Sequence, residues 1–310
     1  MKIVFFGSPE AALPSLTGLL EAGHRLDLII TQPDRPAGRG QILTACPVKR
    51  FALEKNLPVL QPEKIRRAPE VMDRLAVLQP DIQVVVAYGQ IIPGPIIYLP
   101  PHRTLNVHFS LLPKYRGASP VAWSILQGET RTGVTIIELN EKMDEGDILA
   151  QTEIDIRPEE NARELEGRLA VMGAGLLLST LDRLADVVRR PQDHCLASHA
   201  PKLKKEDGRL DWTLAAQDIS RRVRAYTPWP SAFGRLQGRQ LKILEGRLAT
   251  SPRPPRPPGT ISDIEREGIV VQCGQGNYLI TRLQAENRNP MAGYEFSLGA
   301  RLRPGDRFEL

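Results

Sequence analysis

Cysteine is scarce in these 310 residues: Cys46, Cys195 and Cys273 are the whole supply, odd in number and far apart. A disulfide framework or a zinc knuckle needs paired or clustered thiols, so neither fits, and reduced thiols in a cytoplasmic protein are expected. No apolar run approaches the length needed to cross a membrane. The opening Met1-Lys2-Ile3-Val4-Phe5-Phe6-Gly7 goes directly into a strand pattern, which leaves no room for a signal peptide. The first turn, Gly7-Ser8-Pro9-Glu10, lacks G-x-G-x-x-G, which disfavours a dinucleotide cofactor.

What is present is a soluble globular composition over a length that favours two domains. The expected division is residues 1–189, a linker over 190–208, and a second domain over 209–310. Residues 1–200 carry 22 Lys and Arg against 24 Asp and Glu, whereas residues 201–310 carry 19 against 12. The positive excess therefore belongs to the C-terminal third. That suggests a polyanion partner there as much as it suggests a solvated basic surface.

Taken in order, Lys2–Phe6 reads as a buried strand, with Ser8 as helix N-cap, Pro9 at the first helical position and Gly23 as the stop. A second strand at Leu26–Thr31 completes a βαβ unit of a parallel sheet. Thr31–Gly40 is a long Pro/Gly-rich insertion carrying Arg35 and Arg39, with Lys49 and Arg50 following. Helices are expected at Pro47–Lys55 and Glu63–Leu78 around a short strand at Pro58–Leu60, then an apolar strand at Ile82–Ala87. Further along come a helix at Pro120–Leu126, strands at Gly133–Leu139 and Leu149–Ile156, and a long helix at Asn161–Val188. After a helix at Ala215–Tyr226, short stretches at Leu241–Leu248, Gly268–Cys273, Tyr278–Leu283 and Asp306–Glu309 alternate with turns. The expected fold is thus α/β: a Rossmann-like N-terminal domain with a mostly parallel sheet, plus a smaller C-terminal OB-like β-barrel.

The stretch Leu105-Asn106-Val107-His108-Phe109-Ser110-Leu111-Leu112-Pro113-Lys114-Tyr115-Arg116-Gly117 organises the rest. Leu105, Val107 and Phe109 alternate with Asn106 and His108, so the two polar side chains emerge on one face of a strand end. A carboxamide donor beside an imidazole suits a carbonyl that must be polarised while a proton is managed. The bland alternative is that both residues satisfy buried backbone.

The pattern N-x-H-x-S-L-L-P-x-[YF]-R-G closely resembles the signature of the folate-dependent formyltransferases. The loop QPDRPAGRG and the crossover Lys202–Trp212 resemble the branch of that family that acts on methionyl-tRNA. The resemblance implies Asn106, His108 and Asp144 as catalytic residues, with Glu145 and Asp147 left as loop residues. Asn140 and Lys142 stand where that family often has Asp and Gly. It places Tyr88, Gly89 and the Ser110-Leu111-Leu112-Pro113 turn at the pocket of the co-substrate 10-formyltetrahydrofolate. Arg35, Arg39, Lys204 and Lys205 become the residues expected to meet methionyl initiator tRNA.

The implied reaction is direct formyl transfer to the methionine α-amine through a tetrahedral intermediate. It needs no metal, and the motif offers no nucleophilic Ser or Cys. A monomer with no membrane association is expected. Two rivals stand beside this reading. One is a sister formyltransferase acting on an amino sugar or glycinamide ribonucleotide; the other is a non-catalytic RNA-binding protein on the same scaffold.

Overall fold

A computed structural model describes every residue except Gly38, Arg39, Gln41, Pro252 and Leu310. The chain divides into two compact units: residues 1–120, 131–155 and 166–201, and residues 121–130, 156–165 and 202–310.

The first unit is built on β1 (Lys2–Gly7), β2 (Arg25–Ile30), β3 (Arg35–Ala37), β4 (Ile42–Thr44), β5 (Val59–Leu60), β6 (Ile82–Val86), β7 (Thr104–His108), β8 (Arg131–Glu138) and β9 (Ile148–Asp155). Seven of them form one sheet in the order β5-β2-β1-β6-β7-β8-β9. Every pair from β5 to β7 is parallel, while β7–β8 and β8–β9 are antiparallel. All of β6 and β7 is buried, as strands covered on both faces must be. Gln83 is the polar residue of β6, and its Oε1 accepts from the Thr104 hydroxyl at 3.0 Å.

The insertion after β2 contains the β3–β4 hairpin, so part of what reads as loop pairs with itself. Helices α1 (Leu13–Glu21), α2 (Pro47–Glu54), α3 (Pro69–Leu78), α4 (Gly94–Ile97), α5 (Pro120–Leu126) and α6 (Ala162–Asp182) follow in the same stretch of chain, with nearly all of α5 and the first turn of α6 belonging to the second unit. Where α6 crosses the sheet there is room only for glycine: a Cβ on Gly173 would lie 2.9 Å from Val107 and 3.3 Å from Val134.

Three expectations are corrected here. Ser8 does not cap α1; its hydroxyl accepts from the Gln32 backbone N–H at 2.9 Å, tying the ends of β1 and β2 together. The helix expected at Glu63–Leu78 begins only at Pro69, because the residue before a proline avoids the helical region and Ala68 sits at φ −119°, ψ 79°. The long helix stops at Asp182 rather than Val188, and the chain then lies so that Arg190 and Ile148 exchange both backbone hydrogen bonds, at 2.8 and 3.0 Å.

The second unit contains α7 (Ala216–Ala225), β10 (Ala232–Leu236), β11 (Arg239–Leu248), β12 (Ile261–Glu265), β13 (Gly268–Gln272), β14 (Asn277–Ala285), β15 (Met291–Ala292) and α8 (Gly293–Gly299). Its antiparallel sheet runs β10-β11-β14-β13-β12, with β15 added on β14. The segment around 306–309 bridges both edges, pairing Phe308 with Leu236 and Arg307 with Thr260, so the sheet closes on itself. Phe308 brings the closure into the core, its ring 5.0 Å from that of fully buried Trp212.

Candidate active site

The carboxyl ends of the parallel strands are where open α/β sheets place their chemistry. β7 ends there on Asn106 and His108, which are 9% and 5% exposed. Beyond it, Ser110–Lys114 fold into a tight turn. The Ser110 hydroxyl donates to the Lys114 carbonyl at 2.6 Å. Thr135 of β8 braces the turn from the side, donating to the Ser110 carbonyl at 2.6 Å and accepting from the Leu112 N–H at 3.1 Å. Gln151 of β9 donates to the Leu112 carbonyl at 2.8 Å and to the Thr135 hydroxyl at 3.0 Å. Leu112 is sunk among Ile137 and Ile148, so its side chain is core; Leu111 is only partly covered.

His108 Nε2 lies 3.0 Å from the Tyr115 carbonyl oxygen, which can only accept, so Nε2 carries the hydrogen. Nδ1 faces Asp144 Oδ2 at 3.6 Å. The carboxylate therefore gains a donor from this ring only when Nδ1 is protonated as well, in the imidazolium form. Asp144 Oδ1 lies 3.5 Å from Asn106 Nδ2. The three side chains singled out from the sequence thus meet at one point. Their mutual distances are long for hydrogen bonds.

Asp144 stands in the β8–β9 loop at φ 55°, a left-handed conformation that costs a non-glycine residue free energy. At the start of that loop Asn140 Oδ1 accepts from the Lys142 N–H at 2.9 Å, an Asx turn that an aspartate would make equally well. The Gly117 N–H donates to Asp144 Oδ2 at 2.8 Å. Gly117 sits at φ 122°, and a Cβ there would lie 2.7 Å from the Ala200 carbonyl oxygen, so this donor position requires glycine.

Sequence reasoning missed what holds the loop from behind. Gln192 Nε2 donates to the carbonyls of both Asp144 and Gly146, each at 2.8 Å. Its Oε1 accepts from Arg116 Nε at 3.0 Å and Nη2 at 2.7 Å. Arg116, only 4% exposed, faces Glu145 at 3.5 Å and His194 Nδ1 at 3.2 Å. Glu145, read as a loop residue outside the site, is therefore the charge partner of a buried guanidinium. Polar Thr135 and Gln151 amid apolar strand runs were a signal that could have been followed. Gln192, in a stretch that reads as linker, offered none.

Tyr88 and Gly89 follow β6. The Tyr88 ring lies in the core, edge-on to Phe6 with centroids 5.5 Å apart, and burial pushes its phenol well above the usual range. Among the described residues its hydroxyl has no hydrogen-bond partner. Its side chain is thus part of the core, and its carbonyl accepts from Gln32 Nε2 at 2.9 Å. Gln90, next along, accepts from the Ile65 N–H at 2.9 Å and donates to the Pro62 carbonyl at 3.1 Å. These contacts border a cleft of about 330 Å³ lined by Lys64, Ile65, Arg66, Arg67, Gln90 and Ile91.

Of the residues expected to meet nucleic acid, Arg35 is exposed and pairs with exposed Glu63 at 3.0 Å. Lys204 and Lys205 are exposed on the second unit. Arg39 lies outside the described residues. Lys49 is engaged with Asp34 at 2.6 Å, and the ammonium holds that carboxyl below its ordinary range.

Comparison with known proteins gives a consistent result. The profile of the family described as formyl transferase matches residues 1–181, and that described as formyl transferase, C-terminal domain, matches residues 202–301. A methionyl-tRNA formyltransferase of Geobacter metallireducens is 45% identical over 309 residues, covering 99% of this chain and 98% of its own. Among solved structures, the sugar 3N-formyl transferase WlaRD, in the presence of dTDP and 5-N-formyl-THF, aligns with a TM-score of 0.68 at 19% identity, covering 93% of this chain and 99% of that one. The methionyl-tRNA formyltransferase of Clostridium thermocellum aligns with a TM-score of 0.59 at 16% identity, covering 80% and 94%. At those identities the two structures speak for the fold.

Proposed function

The chain belongs to the formyl transferase family, and from that premise we propose that it moves a formyl group from 10-formyltetrahydrofolate to the α-amine of methionine esterified to initiator tRNA. The observation that carries the proposal is the convergence of Asn106, His108 and Asp144 within 3.6 Å at the end of β7.

In this reading the neutral amine attacks the formyl carbon directly. Asn106 donates to the formyl oxygen as it gains charge, and His108 in its cationic form adds to that stabilisation. Asp144 holds the imidazolium and accepts or relays the proton that the amine must lose. The braced Ser110–Lys114 turn offers fixed backbone groups and the partly covered Leu111 to the pterin and its neighbouring formyl group, a mix of apolar wall and directed polar atoms that suits such a ligand. The cleft beyond Gly89 supplies three cations, Lys64, Arg66 and Arg67, to the carboxylates of a folate tail.

The division of labour we assign is chemistry to residues 1–189 and tRNA binding to residues 209–310 across a 190–208 linker, with Arg35, Arg39, Lys204 and Lys205 on the tRNA. Arg39→Ala and Arg39→Lys separate two roles for that residue. If Arg39 meets a phosphate, Arg39→Ala lowers the salt slope of binding by roughly one and Lys partly substitutes; if it stacks, Arg39→Ala leaves the slope nearly intact and Lys is a poor replacement.

The test is incubation of the purified protein with 10-formyltetrahydrofolate and candidate acceptors, read by mass spectrometry. Formyl-methionyl-tRNA is expected. A formylated amino sugar or ribonucleotide in its place would move the protein to a sister activity on the same three residues, and no formyl product at all would overturn the assignment.

A further inference from the structure

The Asp144 carboxylate is useful only where it stands. Its oxygens lie 3.5 and 3.6 Å from Asn106 and His108, and its backbone is in a region that asparagine and glycine tolerate better. A strained conformation persists when its surroundings over-determine it. The Gly117 N–H fixes the carboxylate, but the main chain on either side of Glu145 is fixed by one side-chain carboxamide, that of Gln192.

Gln192 is itself over-determined. It is 6% exposed, and its oxygen takes two N–H groups of Arg116. The Arg116 backbone is clamped in turn, donating to the Ser198 carbonyl at 2.8 Å and accepting from the Ala200 N–H at 2.7 Å. Ser198 Oγ also accepts from the Tyr115 N–H at 2.9 Å, and Tyr115 is the residue whose carbonyl faces His108. One stretch, residues 192–200, therefore grips both sides of the catalytic pair.

We infer that Gln192, seated by Arg116, is a positioning residue for formyl transfer: its carboxamide sets the place of Asp144 relative to His108. The inference rests on the catalytic reading of Asp144 given above. The chemistry makes the amide specific. Both ends are used, nitrogen as a donor to two carbonyls and oxygen as an acceptor from a guanidinium, and no other side chain of that reach does both. Glutamate keeps the bond to Arg116 but sets an anion against two carbonyl oxygens. Methionine keeps the volume and can make none of these hydrogen bonds.

The experiment is a double-mutant cycle on the full chain. Gln192→Met and Gln192→Glu are each measured alone and with Asp144→Ala, with melting curves recorded to score folding. Misplacement on the order of an ångström costs about 10²-fold in rate. A fall of kcat of that order is therefore expected for both Gln192 variants, with KM for the folate and the tRNA changed less than about threefold. In the Asp144→Ala background the same substitutions should cost almost nothing further, because what they displace is already gone. Equal losses in both backgrounds would mean that Gln192 acts on the fold at large, and would overturn the inference. Near-normal kcat in folded Gln192→Glu would overturn it too. If Asp144→Ala alone keeps full turnover, the catalytic reading itself fails, a different result from either.

Discussion

A residue's role here is set by which of its atoms are already spoken for. Asn106, His108 and Asp144 each keep a polar atom facing the others, at 3.5 or 3.6 Å, while their remaining contacts go to backbone. Replacing Asn106 or His108 with Ala should lower kcat by about 10²–10³ with little effect on folate binding, the usual loss for one group stabilising a developing oxyanion, and Asp144→Ala, which removes the proton acceptor, should lower it by about 10²–10⁴. Steady-state kinetics on the three folded variants check this, and near-normal turnover in all three would discard the site. The cysteines make a contrasting case. Burial pushes the Cys273 thiol up to about 12, whereas Cys195 is exposed. Thiolate is the reactive form. A thiol reagent at neutral pH should modify Cys195 promptly and Cys273 only on unfolding, as peptide mapping of the labelled protein would reveal.

At the level of elements, the site is a strand end plus two loops held by neighbouring strands. Thr135 carries both inner hydrogen bonds of the Ser110–Lys114 turn. Thr135→Val is expected to cost about 1–3 kcal/mol by leaving the buried Ser110 carbonyl and Leu112 N–H without this partner. If the turn bears the folate, KM for folate should rise more than KM for tRNA, and kinetics at saturating levels of each substrate separate the two. This level also marks what the sequence could and could not disclose. β1, β6 and β7 were legible because buried parallel strands are apolar runs with a polar exit. β10 was not, with Gly234 in its middle and a hairpin turn of Gln237 and Gly238, both at positive φ, that carries no asparagine to announce it. The brace by Gln192 was invisible for a different reason. It acts across 48 residues of chain from Asp144, and nothing local in the stretch marks it.

For the whole molecule, the asymmetry of charge is the widest feature: residues 201–310 hold 19 basic against 12 acidic side chains. Affinity for tRNA should therefore fall steeply with salt, and Lys204→Ala with Lys205→Ala should reduce the log K against log salt slope by roughly one for each phosphate that these lysines neutralise. Titrations across a salt series measure it, and an unchanged slope would take both lysines out of the interface. The closure of the second sheet has a further consequence, in time instead of space. Residues 306–309 follow every other strand of that sheet in the chain, so they leave the ribosome after all of them. At roughly 5–20 residues per second of synthesis, the strands of the first unit are out well before the closing segment is. Until then β10 and β12 are two open edges, each a template for a stray strand. Residues 121–130 and 156–165 are made early yet belong with that late-forming unit, so they wait longest for their partners. The second half of the nascent chain is where newly made protein is most exposed to aggregation, and where a chaperone would have most to protect.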